Sequence, residues 1–211
     1  MTNSLVDAPT LWDLVERRAA ATPDTVLLID EAGRTLTCRE FRDRAERVAA
    51  GFAEVGVGAG TRVTWQAPNR FETLLASFAL ARLGAIQNPI LHLYRHKEVG
   101  YAITATKAEV VLVPGEWNGF DFGAMVHELV ADLPADTRPQ VIDIFAELPE
   151  ADAAGLGPAP ASGDEVRWIY FTSGTTSDPK GVRHTDRTLI TGAWGMAAAL
   201  DMQPDDVGSI A

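Results

Sequence analysis

The chain has 211 residues, 46% of them apolar and 22% charged, which suffices to bury one large or two small domains. Its formal net charge of -11, from 29 acidic against 18 basic residues, disfavours nucleic acid and anionic membrane surfaces as partners, so an anionic ligand needs a local cradle. A single cysteine, Cys38, excludes an intramolecular disulfide framework, and no signal pattern or membrane-length apolar run is present, so a cytoplasmic protein without a transmembrane segment is expected.

In chain order, Leu11, Leu14, Val15 and Ala19 recur at helical spacing, and Pro23 and Asp24 end that helix. Thr25 to Asp30 reads as a short strand, Gly33 as a turn, and Thr35 to Thr37 as a second strand. Phe41, Ala45, Val48, Ala49 and Phe52 then form one face of an amphipathic helix closed by Gly56, Gly58 and Gly60. From Thr61 the pattern alternates. Strands are predicted at 61–66, 85–90, 110–113 and 141–145, and helices at 71–83, 97–106 and 120–130. Such alternation implies parallel βαβ units with helices on both faces, an α/β fold with a doubly wound, mainly parallel sheet.

Residues 147–163, rich in Ala, Pro and Gly, read as a surface linker, which divides the chain into an N-terminal α/β subdomain (1–146) and the start of a second subdomain (164–211). Thr188 to Met202 is apolar and helix-permissive despite Gly192 and Gly195, and Gln203 to Asp206 is a turn. Val207 to Ala211 looks like the opening of another strand, so the 211 residues are expected to be the N-terminal part of a longer protein.

Most of the functional signal lies between Trp168 and Arg183. Val166, Trp168, Ile169, Tyr170 and Phe171 form a strand that breaks into Thr172, Ser173, Gly174, Thr175, Thr176, Ser177, Asp178, Pro179, Lys180 and Gly181. A strand opening into such a loop offers backbone N–H groups, several hydroxyls and one cation, which together suit a polyphosphate. The glycine-lysine-hydroxyl phosphate loop of kinases and NTPases is excluded, because Pro179 precedes Lys180 and Gly181 follows it.

From Phe171 to Val182 the chain resembles, at nearly every position, the phosphate-binding signature of the adenylate-forming (AMP-binding) family, which includes acyl-CoA synthetases, adenylation domains and luciferases. It departs where Ser177 stands in place of the usual glycine, and where Asp186 follows His184 and Thr185 in place of a histidine. Earlier segments are similar to that family in the same order: Leu36 to Phe41, Gly56 to Val63, Ala67 to Asn69 and Leu83 to Ala85. Gln87 to Ile90, Tyr94 to Val99 and Gly119 to Phe122 resemble the fatty-acid and cyclohexanecarboxylate CoA ligases.

The resemblance implies that a carboxylic acid, fatty or alicyclic, attacks the α-phosphate of Mg2+-ATP to give an acyl-adenylate, and that coenzyme A then takes the acyl group. Loading of a carrier protein and a non-catalytic interaction module are the alternatives. Thr172 and Lys180 are the implied catalytic residues, and Thr172, Ser173, Gly174, Thr175, Thr176, Ser177, Lys180 and Gly181 the implied nucleotide-binding set. No metal site of the chain's own is implied, and these 211 residues alone are expected to lack ligase activity.

His184 either touches ATP or caps the connection after the loop. His92 and His96, four apart, read as structural in preference to metal ligands. Trp194 and Met196 read as core more readily than as the wall of an acyl pocket, and Cys38 as inert.

Overall fold

The computed structural model describes residues 7–172, 179–203 and 206–209. Helix α1 (Leu11–Ala21) starts where the Thr10 side chain accepts the Asp13 N–H at 3.0 Å. Strands β1 (Val26–Ile29) and β2 (Thr35–Thr37) pair antiparallel as a separate two-stranded sheet. Thr37 and Glu40 then exchange bonds in a capping box that starts α2 (Cys38–Glu54) and holds the Glu40 carboxyl below its ordinary pKa. The buried stripe of α2 includes all five residues expected from its periodicity, Phe41, Ala45, Val48, Ala49 and Phe52.

The remaining elements are β3 (Arg62–Trp65), α3 (Phe71–Leu83), β4 (Ile86–Pro89), α4 (His96–Thr106), β5 (Val110–Val113), β6 (Glu116–Trp117), β7 (Phe120–Asp121), α5 (Phe122–Ala131), β8 (Gln140–Asp143), β9 (Val166–Phe171), β10 (Gly181–Thr185) and α6 (Asp186–Ala199). The main sheet has six strands in the order β10-β9-β4-β3-β5-β8, parallel except for β10. From β3 the chain moves one way to β4, then crosses back over β3 to β5. Right-handed crossovers in opposite directions must place α3 and α4 on opposite faces.

The two cores follow this division. On one face Trp12, Phe41, Phe52, Leu75 and Leu80 pack with Val63, Val110 and Leu112; on the other Val99, Ile103, Phe122 and Val126 pack with Val111 and Val113. All four residues of β5 are buried, as a parallel strand covered on both faces requires.

Residues 147–163 lie against the helical layer. A Cβ on Gly51 of α2 would stand 2.5 Å from the Pro149 carbonyl, so the two backbones touch there. Glu150 accepts from Arg44 at 2.8 Å and Arg47 at 3.1 Å, and Arg82 of α3 donates to the Gly157 carbonyl at 2.9 Å. The strands that follow, β9 and β10, complete the same six-stranded sheet as the strands before residue 147. Residues 206–209 carry no strand; Val207 is exposed, so the apolar run expected to open a strand has no pairing partner there among the described residues.

Candidate functional site

The β9–β10 hairpin carries the candidate site. β9 joins β4 through the single ladder pair Gln87↔Trp168, reinforced where the Asn88 amide donates to the Ile169 carbonyl at 2.7 Å. The chain then returns antiparallel as β10, with Gly181 opposite Phe171 and Val182 opposite Tyr170. Burial raises the Tyr170 hydroxyl above its ordinary pKa.

At the top of the stalk the Thr172 N–H donates to the Lys180 carbonyl at 3.0 Å, and the Thr172 hydroxyl lies 3.5 Å from the same oxygen. The two ends of the loop are thereby tied together. Tyr101 of α4 adds a second tie: its hydroxyl donates to the Pro179 carbonyl at 2.8 Å while its ring meets Phe171 edge-on, centroids 5.5 Å apart. Gly181 has its own steric reason, since a Cβ there would stand 3.1 Å from Ile169 Cγ2 and 3.4 Å from Phe171 Cε1.

Thr172, Lys180 and Gly181 are therefore brought to one place. Ser173, Gly174, Thr175, Thr176 and Ser177 lie outside the described residues. The Lys180 side chain is exposed and makes no ion pair or hydrogen bond among the described residues. Two arginines on loops leaving the same end of the sheet are already engaged. Arg70 lies over Trp117 at 5.1 Å and Phe145 at 5.5 Å, and Arg95 over Phe120 at 4.2 Å. Among the described residues, Lys180 is thus a cation without a counter-ion.

The position of the loop matters as much as its residues. It leaves the carboxyl end of β9, beside β4 and β3, whose following helices diverge to opposite faces of the sheet. In open α/β sheets that crevice is where ligands bind. A triphosphate fits the chemistry present: a strand-end loop, a hydroxyl at Thr172 and a cation at Lys180 without a counter-ion among the described residues. For Mg2+, no group of three or more His, Cys, Asp or Glu residues occurs among the described residues.

Other candidates separate clearly. His184 packs edge-on against Tyr170, and its Nδ1 lies 3.3 Å from the Thr188 hydroxyl in the first turn of α6, which supports the connection after the loop. His96 pairs with Glu128 at 3.3 Å. Trp194 and Met196 are not core: they are 46% and 61% exposed, because nothing described packs on the second half of α6. Cys38 is a buried free thiol.

Asp186, the departure from the expected histidine, is 1% exposed. Its carboxylate accepts from Trp168 Nε1 at 2.8 Å and from the Leu11 N–H at 3.2 Å, and stands 3.5 Å from the Arg167 guanidinium. It joins β9, α6 and the start of α1. Sequence reasoning missed this role, as it missed Tyr101 and Asn88. Tyr101 sits inside a helical apolar pattern that reads as core, and no local signal connects residue 88 or 101 with residues 169–179.

Comparison with known proteins agrees with this geometry. The sequence profile described as "AMP-binding enzyme" matches residues 15–209. The chain is 32% identical over 187 residues to a 2-hydroxy-7-methoxy-5-methyl-1-naphthoate–CoA ligase of Streptomyces carzinostaticus, covering 81% of this chain and 33% of the relative. It is 31% identical over 208 residues to a salicyl-AMP ligase / salicyl-S-ArCP synthetase of Mycobacterium tuberculosis, covering 94% and 37%. Among solved structures, the O-succinylbenzoate coenzyme A synthetase of Bacillus subtilis in complex with AMP superimposes with a TM-score of 0.77 at 25% identity, over 93% of this chain and 48% of that one. The chain thus spans between about a third and a half of the length of the proteins it matches. No helix among the described residues is long and apolar enough to cross a membrane. A strand-end loop at the carboxyl edge of a doubly wound sheet and a profile running through nearly the whole chain lead to the same place: the chain belongs to the AMP-binding enzyme family.

Proposed function

We propose that this chain supplies the phosphate-holding part of an ATP-dependent acid–thiol ligase, which activates a carboxylic acid as its acyl-adenylate and passes the acyl group to coenzyme A. The observation that carries the reading is the tied base of the β9–β10 loop, which presents Thr172 and Lys180, the latter without a counter-ion among the described residues, at the carboxyl edge of the sheet.

In this reading Thr172, Ser173, Gly174, Thr175, Thr176, Ser177, Lys180 and Gly181 hold the β- and γ-phosphates that depart as pyrophosphate. Lys180 neutralises charge as the α–β bridging bond breaks, and Thr172 donates its hydroxyl to a phosphate oxygen. Mg2+ would come bound to the nucleotide as part of the substrate and would neutralise phosphate charge; the protein's own residues orient the leaving group and need no nucleophile. The reaction belongs in the cytoplasm, in keeping with the single unpaired cysteine.

Two of the similar proteins are named for coenzyme A, which supports that acceptor. The similarity of Gln87 to Ile90 and Tyr94 to Val99 to fatty-acid and cyclohexanecarboxylate CoA ligases supports a fatty or alicyclic acid. A second reading, an aromatic acid loaded onto a carrier protein, is favoured by the match to the salicyl-AMP ligase.

The test is Lys180→Ala in the full-length protein. ATP–pyrophosphate exchange is expected to fall by about 10²–10³, equivalent to about 2.7–4 kcal/mol, while thermal stability is unchanged. Undiminished exchange would overturn the assignment. A pyrophosphate-release panel of aliphatic, alicyclic and aromatic carboxylates, each with coenzyme A as acceptor, separates the two readings.

A further inference from the structure

Lys180 is held on both sides of its Cα. The carbonyl of the peptide unit before it, that of Pro179, accepts from the Tyr101 hydroxyl at 2.8 Å, and its own carbonyl accepts from the Thr172 N–H at 3.0 Å. Peptide units are planar, so fixing the two that flank a residue sets its φ and ψ, and with them the direction of its Cα–Cβ bond. The Thr172 bond closes the hairpin from within. The Tyr101 bond comes from another element, 78 residues earlier in the chain.

Tyr101 has a rigid base. Its neighbours on α4, Val99, Ala102 and Ile103, are buried, and at Gly100 the helix runs so close to α5 that a Cβ there would stand 3.2 Å from Leu129 Cδ2. The Tyr101 ring meets Phe171 at the end of β9 while its hydroxyl reaches the returning strand of the loop. The hairpin does not need this bond to pair, since the β9–β10 ladder already runs from Gly181 to Thr185. Its effect falls instead on Lys180, an exposed cation without a counter-ion among the described residues. A flexible lysine stabilises developing charge only as well as it is placed, and about 1 Å of misplacement can cost about 10² in rate. We infer that Tyr101 is a positioning residue for adenylation, which through the Pro179 carbonyl aims Lys180 at the departing phosphates. The inference rests on the ligase reading of Lys180.

Tyr101→Phe keeps the ring and its contact with Phe171 and removes the hydroxyl. In the full-length protein its kcat for ATP–pyrophosphate exchange is expected to fall about tenfold, with the KM for ATP changed less than about twofold and the thermal midpoint within about 2 °C of the parent. Added to Lys180→Ala, the same substitution is expected to cost less than about twofold more, because no ammonium is left to aim. A hydroxyl that only stiffens the loop would cost about the same tenfold in both backgrounds. An unchanged kcat in Tyr101→Phe, or a full further fall in the double variant, overturns the inference. If Lys180→Ala exchanges as the parent does, the ligase reading falls and takes this inference with it. If Lys180→Ala loses exchange and Tyr101→Phe does not, only this inference falls.

Discussion

Helices α3 and α6 have similar apolar compositions and opposite fates. α3, with Leu74, Leu75, Phe78, Leu80 and Leu83, is buried nearly all round, even at Thr73, Ser77 and Arg82. α6 carries Leu189, Ile190, Trp194, Met196 and three consecutive alanines, yet buries only Asp186 and Ile190, and Met196 is 61% exposed. Apolar composition lets a helix be buried; its neighbours decide whether it is. α3 lies under α1, α2 and residues 147–163, whereas α6 is held at its first turn by the polar contacts of Asp186 and is uncovered beyond Ile190 among the described residues.

That contrast can be broken or sharpened by substitution. The largest effect belongs to the anchor: Asp186→Ala leaves the Trp168 and Leu11 N–H groups without their charged acceptor and takes one partner from the Arg167 guanidinium, which keeps Glu165 and the Ser162 carbonyl, and is expected to cost about 3–5 kcal/mol in urea unfolding. A cost below about 1 kcal/mol would show that α6 is held by something else. Leu75→Ala in α3, at 0% exposure, is expected to cost about 2–5 kcal/mol in the same measurement.

A smaller effect belongs to the roof over α2 and α3. Burial pushes the Glu150 carboxyl up, but hydrogen bonds from Arg44 and Arg47 outweigh it and hold the pKa below the ordinary carboxylate value. Between its folded and unfolded pKa values the unfolded chain binds more protons, so the stabilisation is present above the unfolded pKa and is lost as pH falls through the folded one. Glu150→Gln should therefore cost about 0.2–1 kcal/mol at neutral pH and nothing in strong acid, read as converging urea midpoints. The smallest effect is expected at the exposed end of α6, where Trp194→Ser should change stability by less than about 0.5 kcal/mol. A loss above 1 kcal/mol would mean that this face is covered.

The sequence made the alternating architecture legible because the strands are short apolar runs bounded by turn residues, and α3 begins and ends at the expected residues. It also made α2 legible, through an apolar stripe that packs against α3, as where the Phe41 and Phe78 rings meet edge-on. The β6–β7 hairpin went unread and its second strand was taken as helix. Yet Asn118 and Gly119, both at positive φ (49° and 74°), are the residues a tight two-residue hairpin turn demands, and Asp121 at the end of the second strand caps α5. β10 was hidden because Gly181 and two charged or titratable side chains break its apolar pattern, and its pairing with β9 is decided across the loop. In the candidate site, Thr172, Lys180 and Gly181 were readable from local order, whereas Tyr101 and Asn88 act over separations of 78 and 81 residues that no local pattern encodes.

The contact between Leu11 and Asp186 spans 175 residues, and beside it a Cβ on Gly163 would stand 1.8 Å from the Pro9 carbonyl. This has a consequence in time. A chain emerging N-terminus first at about 5–20 residues per second delivers Asp186 roughly 9–35 s after Leu11. Until nearly all the described sheet has been made, the leading N–H of α1 therefore has water in place of its Asp186 acceptor. α1 precedes every other described element in the chain and is among the last of them to be completed, so a nascent chain halted before β9 would display α1 in its least protected state.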